Sequence, residues 1–288
     1  MRSNLKNKAM KTTFTISKLT FHEAYRRKIL WAALILGLLF LVVYGLGFYF
    51  IKQDIHRSMS DTSKLAMNEI YSFFFMAGMY AVNFLTIGMS VLTSVDTLSG
   101  EITSGTIQTL VTKPVRRWQI VIGKWLGFVV MLSLYLVLMA GGTMGLVYII
   151  AGYVPPNALR GIALIWMNGL LMLSISFLGG AYLSTLANGV LAFGLFGVAF
   201  VGGWVEYVGW FTRNQVVVNI GIISSLLFPS EALWKRAAHI MESPLVAALG
   251  FSPFTSASPP SPMMVWYAII YAAVILGFAV RHFSKRDL

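Results

Sequence analysis

Six long apolar runs, separated by short polar segments, constrain this chain more than any other feature of its sequence. The runs cover approximately residues 29–51, 70–93, 120–150, 162–186, 190–211 and 263–280. About 20 helical residues, each rising ~1.5 Å, cross the hydrocarbon core of a bilayer. The composition agrees, because 57% of the residues are hydrophobic and only 11% are charged. The sequence therefore predicts an all-α polytopic membrane protein with six transmembrane helices in a single domain, residues 1–288.

Three segments hold most of the positive charge, and they predict which way the chain crosses the membrane. Residues 1–28 carry a net charge of +7, residues 94–124 carry +2 and residues 281–288 carry +2, out of a total of +12. Basic residues near helix ends stay on the cytoplasmic side. Both termini are therefore predicted to be cytoplasmic, in a multi-pass protein of the cell inner membrane. Topology and membrane lipid account for the basic balance, so no nucleic-acid partner is expected.

The N-terminal segment, residues 1–28, is predicted to form a cytoplasmic helix that precedes the first span. Phe14, Phe21 and Tyr25 share a face of this helix, whereas Ile16 points the other way. A helix with such an apolar face lies along a membrane surface. Contact with lipid alone and contact with a partner protein are both open as its role.

The loop between the fifth and sixth runs, residues 212–262, is predicted to be extracytoplasmic and structured. The apolar stretch Val216–Phe228 has 13 residues, too few to span, which favours a re-entrant segment. Residues 230–242 follow it with apolar side chains at helical spacing, while Lys235 and Arg236 fall outside that stripe. This spacing predicts a short helix that lies along the outer membrane interface. Only a tight inward turn near residues 185–189 is expected between the fourth and fifth runs.

The polar segment between the second and third runs, residues 94–119, holds a compact pattern. Ser104 or Gly105 can begin a short helix, which must end before Pro114 because a residue that precedes proline disfavours helical geometry. Glu101 precedes this helix by one turn, where a carboxylate can accept backbone N–H groups or meet a basic partner. One apolar stripe runs along the helix, formed by Ile107, Leu110 and Val111. Such a stripe is short enough to dock into a groove.

This segment resembles the signature of type 2 ABC exporter permeases. The order acid, glycine–threonine, leucine, proline–valine, arginine, glycine–lysine is carried by Glu101, Gly105, Thr106, Leu110, Pro114, Val115, Arg117, Gly123 and Lys124. The closing sequence HFSKRDL is similar to the tails of that family. In particular, it resembles the branch that includes the permease for maturation of the copper enzyme nitrous oxide reductase.

The resemblance implies a permease dimer, either a homodimer or a pair of close paralogues, that carries two copies of an ABC ATPase subunit. Residues 94–119 would then be the cytoplasmic coupling loop. The residues expected to couple the permease to the ATPase are Glu101, Gly105, Thr106, Ile107, Leu110, Val111, Pro114, Arg116 and Arg117.

Motifs of enzyme sites are missing from the sequence. It contains no G-x-x-x-x-G-K-[ST], H-E-x-x-H or G-x-S-x-G pattern, no cysteine, and four scattered histidines. We therefore expect no catalytic residue, metal site or cofactor in this chain, and place ATP and magnesium on the partner subunit. Asn83, Asn168 and Glu206 are the candidates for an intramembrane polar site, although amides inside spans more often bond neighbouring helices.

These patterns predict the permease subunit of an ATP-driven exporter. Its apolar spans favour a hydrophobic or amphipathic substrate. Two alternatives stay open. One is a permease that serves copper-enzyme maturation, since methionine thioethers suit monovalent copper, although methionine is usually a packing residue. The other is a membrane scaffold without transport, or an embedded enzyme, which would need polar residues that converge inside the spans.

Overall fold

The computed structural model describes residues 2–58, 64–103, 116–243, 254 and 259–285. Within these residues the chain forms ten helices and no strand. They are α1 (Arg2–Arg26), α2 (Lys28–Ser58), α3 (Lys64–Ser94), α4 (Ser99–Thr103), α5 (Arg117–Ala151), α6 (Ala158–Tyr182), α7 (Thr185–Phe211), α8 (Gln215–Leu227), α9 (Ser230–Met241) and α10 (Pro262–Lys285).

Six stretches of helix are long and apolar enough to cross a membrane, which confirms the predicted all-α polytopic fold. They are α2, α3 together with α4, α5, α6, α7 and α10. The short helices α8 and α9 form a pair bent by 105° between the fifth and sixth spans. The two short helices predicted in this part of the chain are therefore present.

Helix α6 lies at the centre of the bundle. It contacts α3, α5, α7, α9 and α10, and 67% of its most apolar window is buried. The corresponding shares are 22% for α2 and 17% for α10, so these two helices lie at the periphery. Leu39, Val43 and Phe278 are among their exposed apolar side chains. In a bilayer these faces contact acyl chains, which makes their exposure compatible with a stable fold.

The N-terminal helix α1 packs on α5 through small residues. A Cβ added to Gly127 would lie 2.8 Å from the Ser17 carbonyl oxygen, and one added to Gly123 would lie 3.0 Å from the Thr13 carbonyl oxygen. Glycine at both positions therefore lets the two backbones approach closely. Phe14, on the aromatic face predicted from the sequence, is 72% exposed and points away from the bundle.

The turn between α6 and α7 lies earlier than the sequence predicts. Helix α6 ends at Tyr182 and α7 already begins at Thr185, so the polar residues 185–189 are helical instead of forming the turn. The physical reason lies in Asn188, whose side-chain amide donates to the carbonyl oxygens of Val95 (3.0 Å) and Ser176 (2.9 Å). These bonds hold the first turn of α7 against its neighbours.

The close approach of α1 to α5 predicts the effect of a substitution at Gly127. Gly127→Val should displace α1, because the new side chain meets a backbone carbonyl, and overpacking of this kind costs about 1–3 kcal/mol. The measurement is the rate of trypsin cleavage within α1 in the purified protein, which should rise. Gly141→Val is the matched control on the same helix, since a Cβ there has no atom within 4 Å. Equal cleavage rates in the two variants would show that α1 is not held by this contact.

The charge pattern predicts the side on which each helix end lies, and the absence of cysteine makes labelling simple. Single cysteines at Thr103 and Ser284 should be protected from an impermeant thiol reagent added outside intact cells. Cysteines at Asn157 and Ser261 should react. All four positions are exposed in the structure, so lack of labelling cannot be ascribed to burial. External labelling of the cysteine at 284 would contradict the predicted even number of spans.

Candidate functional site

A buried ion pair lies at the end of the bundle where the chain leaves α4 and returns in α5. Glu101 on α4 and Lys124 on α5 bond to each other, with side chains only 12% and 5% exposed. The two residues flank the segment 104–115, which lies outside the described residues. The pair therefore joins the two ends of the polar segment that the sequence singles out.

Helix α4 is held in place by the turn that connects it to α3. The backbone N–H of Gly100 donates to the carbonyl oxygen of Asp96 (3.0 Å), and the Asp96 carboxylate accepts from the Thr185 hydroxyl (2.8 Å). A Cβ added to Gly100 would lie 2.2 Å from that carboxylate. Glycine at this position therefore leaves room for the Asp96 carboxylate. The hydroxyls of Ser99 and Thr185 lie 2.9 Å apart. Helix α4 is thereby fixed to the first turn of α7.

Asp96 also lies near the junction of α1 and α2. The Arg27 guanidinium lies 3.7 Å from the Asp96 carboxylate and 2.7 Å from that of Glu23. The side chain of Asp96 is 47% exposed, so this contact adds little stability in comparison with a buried pair. It does bring the α1–α2 junction, the α3–α4 turn and the start of α7 to one place.

The two arginines predicted to take part in coupling lie where α5 begins. Arg116 is exposed, and its backbone N–H donates to the side-chain oxygen of Gln119 (2.9 Å), which caps the helix. Arg117 is the first helical residue. Cations at a helix N-terminus oppose the helix dipole, so these arginines do not stabilise the helix start. The exposed side chain of Arg116 can meet anionic groups of lipid or of a partner.

The structure therefore describes three of the predicted coupling residues, namely Glu101, Arg116 and Arg117. The other six lie outside the described residues and their roles stay predictions: Gly105, Thr106, Ile107, Leu110, Val111 and Pro114. The partnership of Glu101 with Lys124 was not predicted. The sequence did indicate that Lys124 has a partner, because a lysine inside a long apolar run needs one.

The three residues predicted to form an intramembrane polar site lie at two separate places. The Asn168 amide donates to the Asn83 side-chain oxygen (3.0 Å), and both residues are buried between α6 and α3. Glu206 on α7 instead accepts from the Lys235 ammonium on α9 (2.9 Å). The amides thus bond two spans together, and the three residues do not converge on one site.

The sequence prediction that Lys235 lies on the outer surface is wrong. Its side chain is 8% exposed and reaches into the bundle, where it meets Glu206 and the Gly203 carbonyl oxygen. Glu231 packs beside them, since a Cβ added to Gly203 would lie 2.5 Å from its side chain. Helix α9 lies outside the six spans. Burial raises the pKa of its Glu231 carboxyl to about 7. The nearby Lys235 ammonium lowers this pKa, and the Glu206 carboxylate raises it. Helix α9 therefore turns Glu231 and Lys235 toward the bundle together with apolar side chains such as Trp234.

The buried pair at the base of the polar segment predicts a strong coupling between two substitutions. Lys124→Met leaves the Glu101 carboxylate buried without its cation, which should lower the free energy of unfolding by about 3–5 kcal/mol. Adding Glu101→Gln to Lys124→Met should restore most of that loss. Denaturant unfolding of the purified protein in detergent measures these two variants together with the single variant Glu101→Gln.

The matched control for that pair is the half-exposed pair at the α1–α2 junction. Arg27→Met should change the free energy of unfolding by less than ~1 kcal/mol. Additive losses in the double variant at 101 and 124 would show that the two side chains do not depend on each other.

Among the described residues, no group of three or more His, Asp or Glu side chains could hold a metal ion. The comparison with curated proteins gives no match. The family model described as "ABC-2 family transporter protein" matches residues 14–288, from the N-terminal helix through all six spans. Because this match covers nearly the whole chain, the protein belongs to the ABC-2 family of transporter proteins.

Proposed function

We propose that this chain is the permease subunit of an ATP-driven exporter, which works as a dimer with two ABC ATPase subunits. Membership of the ABC-2 family supports the transporter class and an ATPase partner in general. The observation that carries the coupling proposal is the buried pair of Glu101 and Lys124 at the base of residues 104–115. ATP and magnesium would bind to the ATPase, at the cytoplasmic face of the inner membrane.

The pair determines how force on the polar segment would spread. Glu101 lies on α4, which follows α3 in the chain, and Lys124 lies on α5. Because their side chains bond to each other, a push on residues 104–115 moves both spans together and does not merely separate the ends of the loop. The Asp96–Thr185 hydrogen bond extends this connection to α7. Movement of an ATPase at the polar segment would thus reach three spans.

The polar groups inside the described spans favour an apolar or amphipathic cargo. The buried amides Asn83 and Asn168 bond to each other, and the buried hydroxyl of Ser90 donates to the Gly169 carbonyl oxygen (2.8 Å). These groups join helices and offer little binding capacity to a strongly polar substrate. The narrower roles, in copper-enzyme maturation or in the nitrous oxide reductase branch, stay predictions that no described feature favours.

The apolar stripe of the polar segment supplies the first test of the exporter proposal. Burial of a leucine-sized side chain is worth roughly 1.5–3 kcal/mol, so Leu110→Asp should weaken assembly with the ATPase at least about tenfold. Thr109→Asp is the matched control, because it places the same charge on the opposite side of the predicted helix. Pull-down affinity and ATPase rate of the complex in lipid nanodiscs measure both variants. If Leu110→Asp assembles and turns over like the parent, the segment only fixes topology.

The buried pair supplies the second part of the same test. Glu101→Ala should leave assembly intact but reduce the effect of the permease on ATP turnover, because the base of the segment is no longer fixed. If the parent chain purifies with no ATPase at all, the exporter proposal itself is wrong. That outcome is distinct from a failure of the coupling residues, in which the parent assembles and the variants behave like it.

A further inference from the structure

A cavity of about 520 Å³ lies between α6 and α10, beside α9. Two arginines line it, Arg160 in the first turn of α6 and Arg236 on α9. The rest of its lining is apolar and includes Trp166, Trp266 and Ile269. An apolar cavity that carries two cations is suited to an amphiphile with an anionic group.

The lining residues show that this cavity is a groove along two spans. On α6 they run from Arg160 to Met167, and on α10 from Pro262 to Ile269. Seven residues at a rise of ~1.5 Å correspond to roughly 10 Å along each helix. Both helices begin at this end of the bundle, so the groove descends from the arginines into the hydrocarbon region. Trp266 is 67% exposed, which places the opening of the groove on the lipid-facing side.

Carboxylates of the described residues do not neutralise these arginines. Within the part of the chain that the structure describes, neither guanidinium lies within 4.0 Å of an acidic side chain. Arg236 donates one N–H to the Pro260 carbonyl oxygen (3.0 Å), which orients its guanidinium and leaves further N–H groups for an anion. Arginine binds phosphate through such charge-assisted, often bidentate hydrogen bonds.

We propose that this groove binds an anionic phospholipid of the outer leaflet as a resident lipid. Its phosphate lies at Arg160 and Arg236, and one acyl chain lies along Trp166 and Trp266. A second copy of the chain is a poorer occupant, because Asp54 is the only exposed acid described at this end of the bundle. The assignment to the outer leaflet follows from the charge-based topology. The site does not depend on whether the chain exports a substrate.

Tryptophan fluorescence provides the test, because two tryptophans line the groove. The full chain, purified in detergent, is titrated with phosphatidylglycerol that carries brominated acyl chains, which quench nearby tryptophans, and with brominated phosphatidylcholine of the same chains. Half of the maximal quenching of tryptophan fluorescence should be reached at a lower concentration of phosphatidylglycerol than of phosphatidylcholine. A basic residue near an anionic lipid contributes about fivefold in affinity, so Arg160→Gln or Arg236→Gln should each reduce that preference about fivefold. Trp266→Phe should remove part of the phosphatidylglycerol-specific quenching.

Two controls separate the groove from general electrostatics and from misfolding. Arg213 is exposed at the same end of the bundle but does not line the groove. Asparagine tolerates the left-handed backbone at this position (φ 56°), so Arg213→Asn should not disturb the fold. This variant should keep the full preference for phosphatidylglycerol. Arg160→Lys keeps the positive charge, so this variant should keep most of the preference for phosphatidylglycerol. If Arg160→Gln proves unstable, Arg236→Gln compared with Arg213→Asn still decides the outcome.

Three results would overturn the proposal. Equal quenching by the two lipids would mean that the groove accepts any acyl chain. Displacement of the brominated phosphatidylglycerol by millimolar inorganic phosphate would mean that the arginines bind a free anion. A change of particle mass in Arg160→Gln, with unchanged lipid preference, would mean that a second copy covers the groove.

Discussion

The ion pair between Glu101 and Lys124 determines how the helices meet at the basic end of the bundle. Both charges are almost excluded from solvent, and removal of an ion from water costs several kcal/mol unless a partner offsets it. Helix α4 must therefore stay against α5. Helix α1 packs on α5 at Gly123 and Gly127, next to the same lysine. The position of α4 against the start of α5 thus depends on one buried pair, and α1 packs on the same stretch of α5.

Polar groups also need partners at the opposite end of the bundle, where the short helix α8 packs on α7 and ends beside α10. Helix α8 has only 13 residues, and its last carbonyl groups have no partners within the helix. The hydroxyls of Tyr267 and Tyr271 on α10 donate to the carbonyl oxygens of Leu226 (2.6 Å) and Leu227 (3.0 Å). Away from water, such groups need a partner within the protein. The end of α8 is thereby stabilised by α10.

Sequence patterns predicted the fold class because membrane thickness fixes the length of a span. They could not predict partners that lie far apart in the chain, such as Glu206 and Lys235. Helical periodicity records only which residues share a face, and it therefore placed Lys235 on the surface although its side chain is buried. The turn before α7 was misplaced because Asn188 bonds to Val95, a contact between distant residues. The resemblance singled out both Glu101 and Lys124, but it could not show that their side chains bind each other.

The two kinds of charge contact at the basic end differ in strength, and the difference indicates which helices move as a unit. A buried pair such as Glu101–Lys124 costs about 3–5 kcal/mol to break by removal of one partner, whereas an exposed pair is worth about 0.2–1 kcal/mol. The contact of Arg27 with Asp96 is of the second kind. It lies at the residue that separates α1 from α2. The charge contact that joins the α1–α2 junction to the α3–α4 turn is therefore weak, whereas the pair at the base of the polar segment is strong.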